Sequence, residues 1–314
     1  MSQGAAGARP VLKPFFEPTV FNRPARSIAG ALRVTLFNAR GTVEVERIAR
    51  CLSQPPLNNS SIILLCESDW GTHRSGRRET ARELADLLQM SFVHVGEFGL
   101  PLKDGGYESF LGNAILSVTP LEEIRAVAIP LPSVERANPI LHKRVGLPTG
   151  LICRFRAGKR DLTAGLVHLA SHCDPESRDL QMAAYLEQFP SAGPAIFGGD
   201  LNTTTTDLLS GRAYLKTFGR MLVAPWRFHS PQRYEPLFQR LAAAGLEIDG
   251  VNRMGKPTFT FGRIVPPIFR PKLDWLAVRG VEPVRGSAAV IPARPSFFSR
   301  RVSDHDFVTA EVQI

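Results

Sequence analysis

Polar residues that can bind ions or exchange protons stand at the ends of the most apolar segments of this chain. Four are acids, two are amides and two are histidines: Glu67, Asp200, Asp274, Asp304, Asn38, Asn202, His168 and His305. Carboxylate and amide oxygens suit hard cations such as Mg²⁺, whereas imidazole takes up and releases protons near neutral pH. Because ligands bind at strand ends in layered α/β proteins, this placement indicates a functional site.

Each of these residues also has an ordinary structural explanation. A glutamate after a strand usually faces solvent, and a histidine on an apolar face is more often a hydrogen-bonded core residue. Asp200 and Asn202 by themselves could form an Asx turn. Asp274 is harder to explain, because an ionised carboxylate inside the apolar run KLDWLAV (272–278) costs several kcal/mol without a partner. The combination favours a site over separate structural roles.

The apolar patterns predict interleaved strands and helices. A buried strand at 31–37 precedes a helix at 44–53, and a nearly all-apolar strand follows at 61–66. The runs at 150–156 and 162–170 read as a hairpin. Since several neighbouring strands are joined by hairpins rather than by helices, we expect mixed sheets instead of a purely parallel, doubly wound sheet.

The composition narrows the class of protein. The chain has 314 residues, of which 44% are hydrophobic, which excludes a disordered or fibrous protein. Its net charge of +9 favours anionic partners such as nucleic acid or phosphorylated lipid. No apolar run reaches the ~20 residues of a membrane span, and the first thirty residues lack the pattern of a secretory signal. The four scattered cysteines have no zinc-finger spacing. We expect a cytoplasmic protein.

Seven short motifs occur in an order that resembles the endonuclease/exonuclease/phosphatase (DNase I-like) superfamily. They are F-N (37–38), the glutamate of C-E-S (66–68), G-N-A-I-L-S (112–117), V-H-L (167–169), G-D-L-N (199–202), K-L-D-W-L (272–276) and S-D-H (303–305). Each motif is short, but seven in order make a specific signal. The resemblance implies a catalytic domain over residues 30–314. The proline-containing segment 1–29 is expected to be a mobile arm or a strap over the surface.

The resemblance implies an α/β fold, a four-layer sandwich of two mixed β-sheets packed face to face with helices outside. It further implies hydrolysis of a phosphodiester, most directly in DNA or RNA, with Mg²⁺ or Mn²⁺ as cofactor. The residues matching the metal side are Asn38, Glu67 and Asp304. The residues matching the catalytic positions are His168, Asp200, Asn202, Asp274 and His305. Asp200 or His305 would activate the attacking water, and Asp274 would orient a histidine.

Two other functions stay open. One is a phosphatase or phosphodiesterase acting on a phospholipid or a soluble phosphate ester, and the other is a catalytically silent basic module that binds nucleic acid or a partner. Some motifs also depart from the family pattern, with Val118 where arginine is frequent and Phe307 where proline is common. A supporting tyrosine or glutamate before G-N-A-I-L-S has Tyr107 and Glu108 as candidates.

Two basic stretches, 133–160 and 263–301, could contact the substrate or simply form a solvated face. Aromatic residues available for base or lipid contact are Trp226, Phe228, Phe269, Phe297 and Phe298. Arg74, Arg77 and Arg78 could reach a flanking phosphate or decorate the start of a helix. The same charge is compatible with a membrane surface, and the oligomeric state is left open.

Overall fold

The structure, a computed structural model, describes most of the chain: residues 16–28, 30–101, 107–132, 145–205, 215, 219, 223–260 and 265–314. The strands in these ranges are β1 (Thr19–Phe21), β2 (Leu32–Gly41), β3 (Ser60–Trp70), β4 (Ser91–Pro101), β5 (Tyr107–Ser117), β6 (Leu121–Ala128), β7 (Val145–Gly146), β8 (Thr149–Ala157), β9 (Arg160–His168), β10 (Ala195–Asp200), β11 (Asp274–Arg279), β12 (Glu282–Pro283), β13 (Ala289–Ile291) and β14 (Phe307–Gln313). The helices are α1 (Val45–Leu52), α2 (Thr80–Leu88), α3 (Pro175–Leu186) and α4 (Leu237–Ala243).

The strands form two mixed sheets, as the sequence predicts. The larger sheet has the order β1-β4-β5-β3-β2-β14-β12, with β13 also paired to β14 and β7 to β4. The smaller sheet has the order β11-β10-β9-β8-β6. Strands β2 and β3 are parallel, as are β9 and β10, whereas the other pairs are antiparallel. The predicted hairpin of β8 and β9 is confirmed.

Three apolar clusters give the sandwich its four layers. The first fills the space between the sheets, where residues such as Leu64 of β3 and Leu166 of β9 are fully buried. The second packs α1 and α2 on the outer face of the larger sheet, and the third packs α3 and α4 on the outer face of the smaller one. Since each sheet is covered on both faces, its central strands read as continuous apolar runs. The predicted four-layer architecture is therefore confirmed.

The described part of the N-terminal segment lies against the larger sheet. Strand β1 pairs with β4, and Arg26 donates its backbone N–H to the carbonyl of Val118. Asn22 exchanges two hydrogen bonds with the backbone of Leu121. Residues 1–15 of the expected arm lie outside the described ranges. The domain assignment to 1–29 and 30–314 stays a prediction.

The expectation of a mostly helical stretch at 207–248 is met at the described residues 215, 219 and 223, which are α-helical, but only in part over 224–248. Within 224–248 the only α-helix is α4, preceded by two short 3₁₀ turns, Pro225–Phe228 and Pro231–Arg233. Each of these turns begins with a proline, whose missing N–H and fixed φ end any longer helix. Most of residues 206–222 lie outside the described part of the chain. None of the described helices has the length and apolarity of a membrane-spanning segment.

Candidate active site

The register of three adjacent strands sets three of the predicted residues side by side. On β10, Asp200 pairs with His168 of the parallel strand β9 and with Asp274 of the antiparallel strand β11. The backbones approach closely here, because a Cβ added to Gly199 would lie 1.9 Å from the carbonyl oxygen of Val167. The glycine before Asp200 is therefore required by the spacing of β9 and β10.

Asp200 lies at the centre of the cluster. Its side chain is buried, and Oδ2 lies 3.7 Å from Nε2 of His168 and 3.7 Å from Nε2 of His305. The same oxygen accepts a hydrogen bond of 2.8 Å from Nδ2 of Asn38, on the other sheet. Its second oxygen, Oδ1, accepts the backbone N–H of Asn202 at 3.0 Å. This carboxylate therefore connects the two sheets at one edge of the sandwich.

His305 is oriented by a buried carboxylate. Its Nδ1 lies 2.8 Å from Oδ2 of Asp274, so Nε2 is left facing Asp200. The ring of Phe259 packs edge-on against the imidazole at 4.8 Å. Burial lowers the pKa of His305, but the charges of Asp274 and Asp200 outweigh this effect and raise the pKa to about 9. The two carboxylates thus favour the protonated form of His305.

His168 has an acidic partner that the sequence analysis missed. Its Nδ1 lies 3.7 Å from Oε2 of Glu97, a buried residue of β4 whose Oε1 accepts the backbone N–H of Thr149 at 3.1 Å. Burial lowers the pKa of His168, but the interaction with Glu97 and the charge of Asp200 outweigh it and raise the pKa to about 10.

The signal for Glu97 was present in the sequence. Glu97 directly follows the predicted strand SFVHVG (91–96), as Glu67 follows SIILLC, so the same rule would have found it. The side chains of the two candidates for a supporting residue, Tyr107 and Glu108, lie outside the described part of the structure. Glu97 supplies a carboxylate against His168.

Of the residues predicted for the metal side, Glu67 and Asp304 are partly exposed, whereas Asn38 is buried. Asn38 donates from Nδ2 to Oε1 of Glu67 at 3.1 Å. The backbone carbonyl oxygen of Asn38 accepts the hydroxyl of Ser303 at 2.8 Å. Glu67 has a φ of 55°, a left-handed conformation that is uncommon for a residue with a side chain. Asp304, next to Ser303, is partly exposed and lies 3.5 Å from Nε of Arg40.

The donor chemistry of this side fits a hard divalent cation. Glu67, Asn38 and Asp304 offer carboxylate and amide oxygens, with space for water on the exposed side, whereas a zinc site would use imidazole or thiolate. One atom from each of Asp200, Asp274 and His305 also falls within a group spanning 4.8 Å. In this second group, however, the closest contact is the pairing of His305 with Asp274.

Two further residues, Thr258 and Lys272, contact the backbone at Asp274. The hydroxyl of Thr258 accepts the backbone N–H groups of Leu273 and Asp274 at 2.9 and 3.1 Å. Lys272 is fully buried, donates from Nζ to the carbonyl oxygen of Asp274 at 3.3 Å and lies 4.4 Å from the ring of Trp275. Burial lowers the pKa of Lys272 to about 8, against the opposing effect of Asp274.

The structure thus brings all eight predicted residues to one edge of the sandwich. The last of the eight is Asn202, which is buried. It donates from Nδ2 to the backbone carbonyl oxygen of Leu169 at 2.8 Å, in the loop that follows His168. The residues are joined by the contacts given above, and their separation along the chain reaches 267 positions, from Asn38 to His305. This cluster of side chains from both sheets could bind a metal and an anion together.

The surroundings of the cluster are only partly as expected. Phe228 is buried and is part of the core, whereas Trp226, Phe297 and Phe298 are exposed, the last two at 74% and 95%.

Arg74 binds Asp69 through Nε and Nη2, both at 2.7 Å. Arg78 is paired with Glu46 and Glu83. Residues 133–144 of the first basic stretch and 263–264 of the second lie outside the described ranges.

Solved structures share this fold. No protein-family model and no curated protein matches the sequence. The chain is similar to an endonuclease/exonuclease/phosphatase from Beutenbergia cavernae, with 21% identity and a TM-score of 0.58 over 91% of this chain and 72% of that one. It is similar to D. rerio TDP2 complexed with single-strand DNA product, with 15% identity and a TM-score of 0.54 over 90% and 99%. It is also similar to the human Nocturnin catalytic domain with bound sulfate, with 14% identity and a TM-score of 0.52 over 96% and 98%.

Proposed function

We propose that this chain, which has the endonuclease/exonuclease/phosphatase (DNase I-like) fold, is a divalent-metal-dependent phosphoesterase that hydrolyses phosphodiesters in DNA or RNA. The observation that supports this most is the position of Asp200 between two imidazoles. Each Nε2 lies 3.7 Å from Oδ2 of Asp200, and each ring faces its own carboxylate on the other side. A binding module has no need for this arrangement of buried charges.

The two histidines have the charge needed to hold a phosphate. Because the pKa values of His168 and His305 are raised to about 10 and about 9, both rings carry a proton at Nε2 at neutral pH. Protonated Nε2 atoms donate to the non-bridging oxygens of a phosphodiester, where negative charge develops during hydrolysis. The partner carboxylates at Nδ1 keep both rings in the required orientation.

Asp200 is the residue placed to accept the proton of the attacking water. Its Oδ1 accepts the N–H of Asn202, whereas Oδ2, which accepts from Asn38, also faces both imidazoles. A carboxylate in this position takes the proton as the water attacks phosphorus in line with the leaving oxygen. In this proposal Asp200, rather than His305, is the general base.

A divalent cation would be held by Glu67, Asn38 and Asp304. When bound, Mg²⁺ or Mn²⁺ neutralises charge on a phosphate oxygen. Glu67 and Asp304 offer carboxylate oxygens and are partly exposed, which suits an ion that retains several waters. The proposal includes a cytoplasmic location and Mg²⁺ or Mn²⁺ as the bound ion.

Charge and similarity support a nucleic acid substrate. The net charge of +9 favours a polyanion, and TDP2, one of the similar structures, is described in complex with single-strand DNA product. Exposed Trp226, Phe297 and Phe298 offer rings for base stacking. The adjacent pair of almost fully exposed phenylalanines also favours a second candidate, a phosphodiester in a phospholipid at a membrane surface.

The test is a metal-dependent activity panel on the purified chain. Single-stranded oligonucleotide, plasmid, phospholipid vesicles and bis(p-nitrophenyl) phosphate are each incubated with Mg²⁺, Mn²⁺ or EDTA. We expect Mg²⁺-dependent cleavage of nucleic acid that Asp200→Asn and His305→Gln reduce by about 10²–10⁴-fold. The control is Asp179→Asn, which removes an exposed ion pair with Arg240 outside the site. Full activity of Asp200→Asn would overturn the proposal, and hydrolysis confined to vesicles would select the lipid alternative.

A further inference from the structure

A buried ion pair lies behind the site. Arg178 of α3 is fully buried, and Glu235, which follows the second 3₁₀ turn, is 3% exposed. The guanidinium binds the carboxylate through two contacts, Nη2 to Oε1 at 2.6 Å and Nε to Oε2 at 3.1 Å. Two charges withdrawn from water gain little net stability from each other, because desolvation offsets their attraction. The location of the pair suggests a role other than stabilisation of the core.

Both members of the pair bind the loop that follows Asp200. Glu235 accepts the backbone N–H of Thr204 at 2.8 Å through Oε1. Arg178 donates from Nη1 to the hydroxyl of Thr205 at 3.0 Å and from Nη2 to its carbonyl oxygen at 3.2 Å. Arg178 also donates from Nη1 to the carbonyl oxygen of Cys173, in the loop after His168. One buried pair therefore fixes the loops that follow two site strands.

The loop after Asp200 has a conformation that needs such support. Asn202 and Thr204 have φ values of 47° and 73°, in the left-handed region. A β-branched residue such as threonine is a genuine outlier there, and strain of this kind persists only where surrounding contacts impose it. The hydroxyl of Thr205 donates to the carbonyl oxygen of Asn202 at 2.6 Å, which links the supported end of the loop to Asn202.

We propose that Arg178 and Glu235 are positioning residues that hold loop 201–205 in this strained form and thereby fix the carboxylate of Asp200. The link is direct, since the N–H of Asn202 donates to Oδ1 of Asp200. If the pair is broken, the loop relaxes, Asn202 withdraws its hydrogen bond and Oδ2 of Asp200 loses its alignment. The inference rests on the proposed function for its catalytic consequence but not for the loop conformation.

Two variants test the pair, one by removing a charge of the pair and the other by removing only its contact with the loop. Glu235→Gln keeps the shape of the side chain but removes the charge that binds Arg178. Thr205→Val leaves the ion pair intact and removes only the hydroxyl that joins Arg178 to Asn202, so it tests the proposal even if Glu235→Gln does not fold. On bis(p-nitrophenyl) phosphate with Mg²⁺ we expect kcat to fall by about 10–100-fold, with KM changed less than about threefold, because misplacement of a reacting group by ~1 Å costs about 10² in rate.

The matched control lies next to Arg178 on the same helix. Asp179 binds Arg240 of α4 through two contacts of 2.5 and 2.6 Å but does not contact the loop. Asp179→Asn therefore weakens a neighbouring contact of the same helix, α3, and we expect kcat within about twofold of wild type. Equal losses of kcat in Asp179→Asn and Glu235→Gln would show that the pair acts only through general stability, and would overturn the proposal.

A rescue variant distinguishes positioning of the loop from general stabilisation of the fold. Glycine adopts positive φ without strain, so Thr204→Gly reduces the need for external support of the loop. We expect the double variant Glu235→Gln with Thr204→Gly to recover at least about fivefold in kcat over Glu235→Gln alone. A double variant as slow as the single one, or slower, contradicts the role proposed for the strained backbone.

A readout that needs no activity keeps the two proposals distinguishable. The N–H groups of Asn202 and Thr204 are hydrogen-bonded in this loop, so their deuterium exchange reports its order. We expect exchange in peptides covering 198–205 to accelerate at least tenfold in Glu235→Gln and Thr205→Val, but not in Asp179→Asn. If wild type hydrolyses no diester, the proposed function fails, and this measurement still decides the role of the pair. Unchanged exchange in both variants would overturn it.

Discussion

The carboxylate of Asp274 and the imidazole of His305 form a buried contact of 2.8 Å between Oδ2 and Nδ1. The two residues come from different sheets: Asp274 begins β11, and His305 precedes β14. Their contact fixes the ring so that Nε2 faces Asp200. The orientation of the candidate cluster therefore depends on the packing of one sheet against the other.

Replacement of Asp274 by asparagine should lower the pKa of His305. The carboxylate charge is a main cause of the raised value of about 9, so the variant ring loses its proton at lower pH. We expect a loss of kcat of about 10²–10⁴-fold at neutral pH. Histidine NMR titration measures the shift directly. A titration of His305 identical to that of wild type would contradict the assignment of Asp274 as its partner.

Replacement of Glu97 by glutamine should affect His168 in the same direction. The pKa of about 10 falls when the adjacent charge is removed, while the amide oxygen can still accept the N–H of Thr149. Because His168 is proposed to hold the phosphate, we expect kcat/KM to fall by about 10–100-fold. The control is Glu122→Gln on the exposed face of β6. Equal kinetics for the two variants would show that Glu97 has no part in the site.

Mg²⁺ should stabilise the folded chain through Glu67. A ligand that binds only the folded state raises the melting temperature as its concentration exceeds the dissociation constant, and EDTA should reverse the effect. We expect Glu67→Gln to require at least tenfold more Mg²⁺ for the same shift in differential scanning fluorimetry. Glu79→Gln, which removes the acidic partner of exposed Arg82, should behave as wild type. A full Mg²⁺ response in Glu67→Gln would place the ion elsewhere.

Stability should fall in mild acid because of His94, a buried residue that stacks on Trp70. Burial lowers the pKa of His94 to about 4, from 6.5. Between pH 6.5 and 4 the unfolded chain therefore binds a proton that the folded chain does not, so the free energy of unfolding decreases as the pH falls, by about 3 kcal/mol in total.

The comparison with His94→Phe isolates this contribution. The variant keeps an aromatic ring against Trp70 and removes the titrating group. Urea unfolding at several pH values should give a difference between wild type and variant that changes by about 3 kcal/mol across the window. Parallel pH curves for the two proteins would rule out His94 as the source.

The site could be predicted to the extent that it follows from strand ends. Glu67, Asp200 and Asp274 adjoin or interrupt apolar runs, and parallel or paired strands bring such residues to a common edge. Glu97 obeys the same rule, since it directly follows the predicted strand at 91–96, but it lies outside the seven motifs that carry the family resemblance. The partnership of Arg178 and Glu235 could not be predicted, since residues 57 positions apart in irregular and helical segments give no periodic signal.

The same limit applies to the region around α4. Its composition resembles that of a helical stretch, yet prolines occur at 225, 231 and 236, and within 224–248 only Leu237–Ala243 is α-helical. Local propensity counts helix-forming residues, whereas a single missing N–H decides where a helix can continue. Predictions from composition are therefore weakest where prolines are regularly spaced.

The alignment of His168, Asp200 and Asp274 across β9, β10 and β11 makes the proposed activity dependent on correct pairing of these strands. Side chains alternate between faces with a period of two, so a shift of β10 by one residue would send Asp200 to the opposite face. A misassembled sheet could still be compact and rich in strands, but it would be inert. If the chain has the proposed activity, its recovery during renaturation reports correct strand pairing, which circular dichroism would miss.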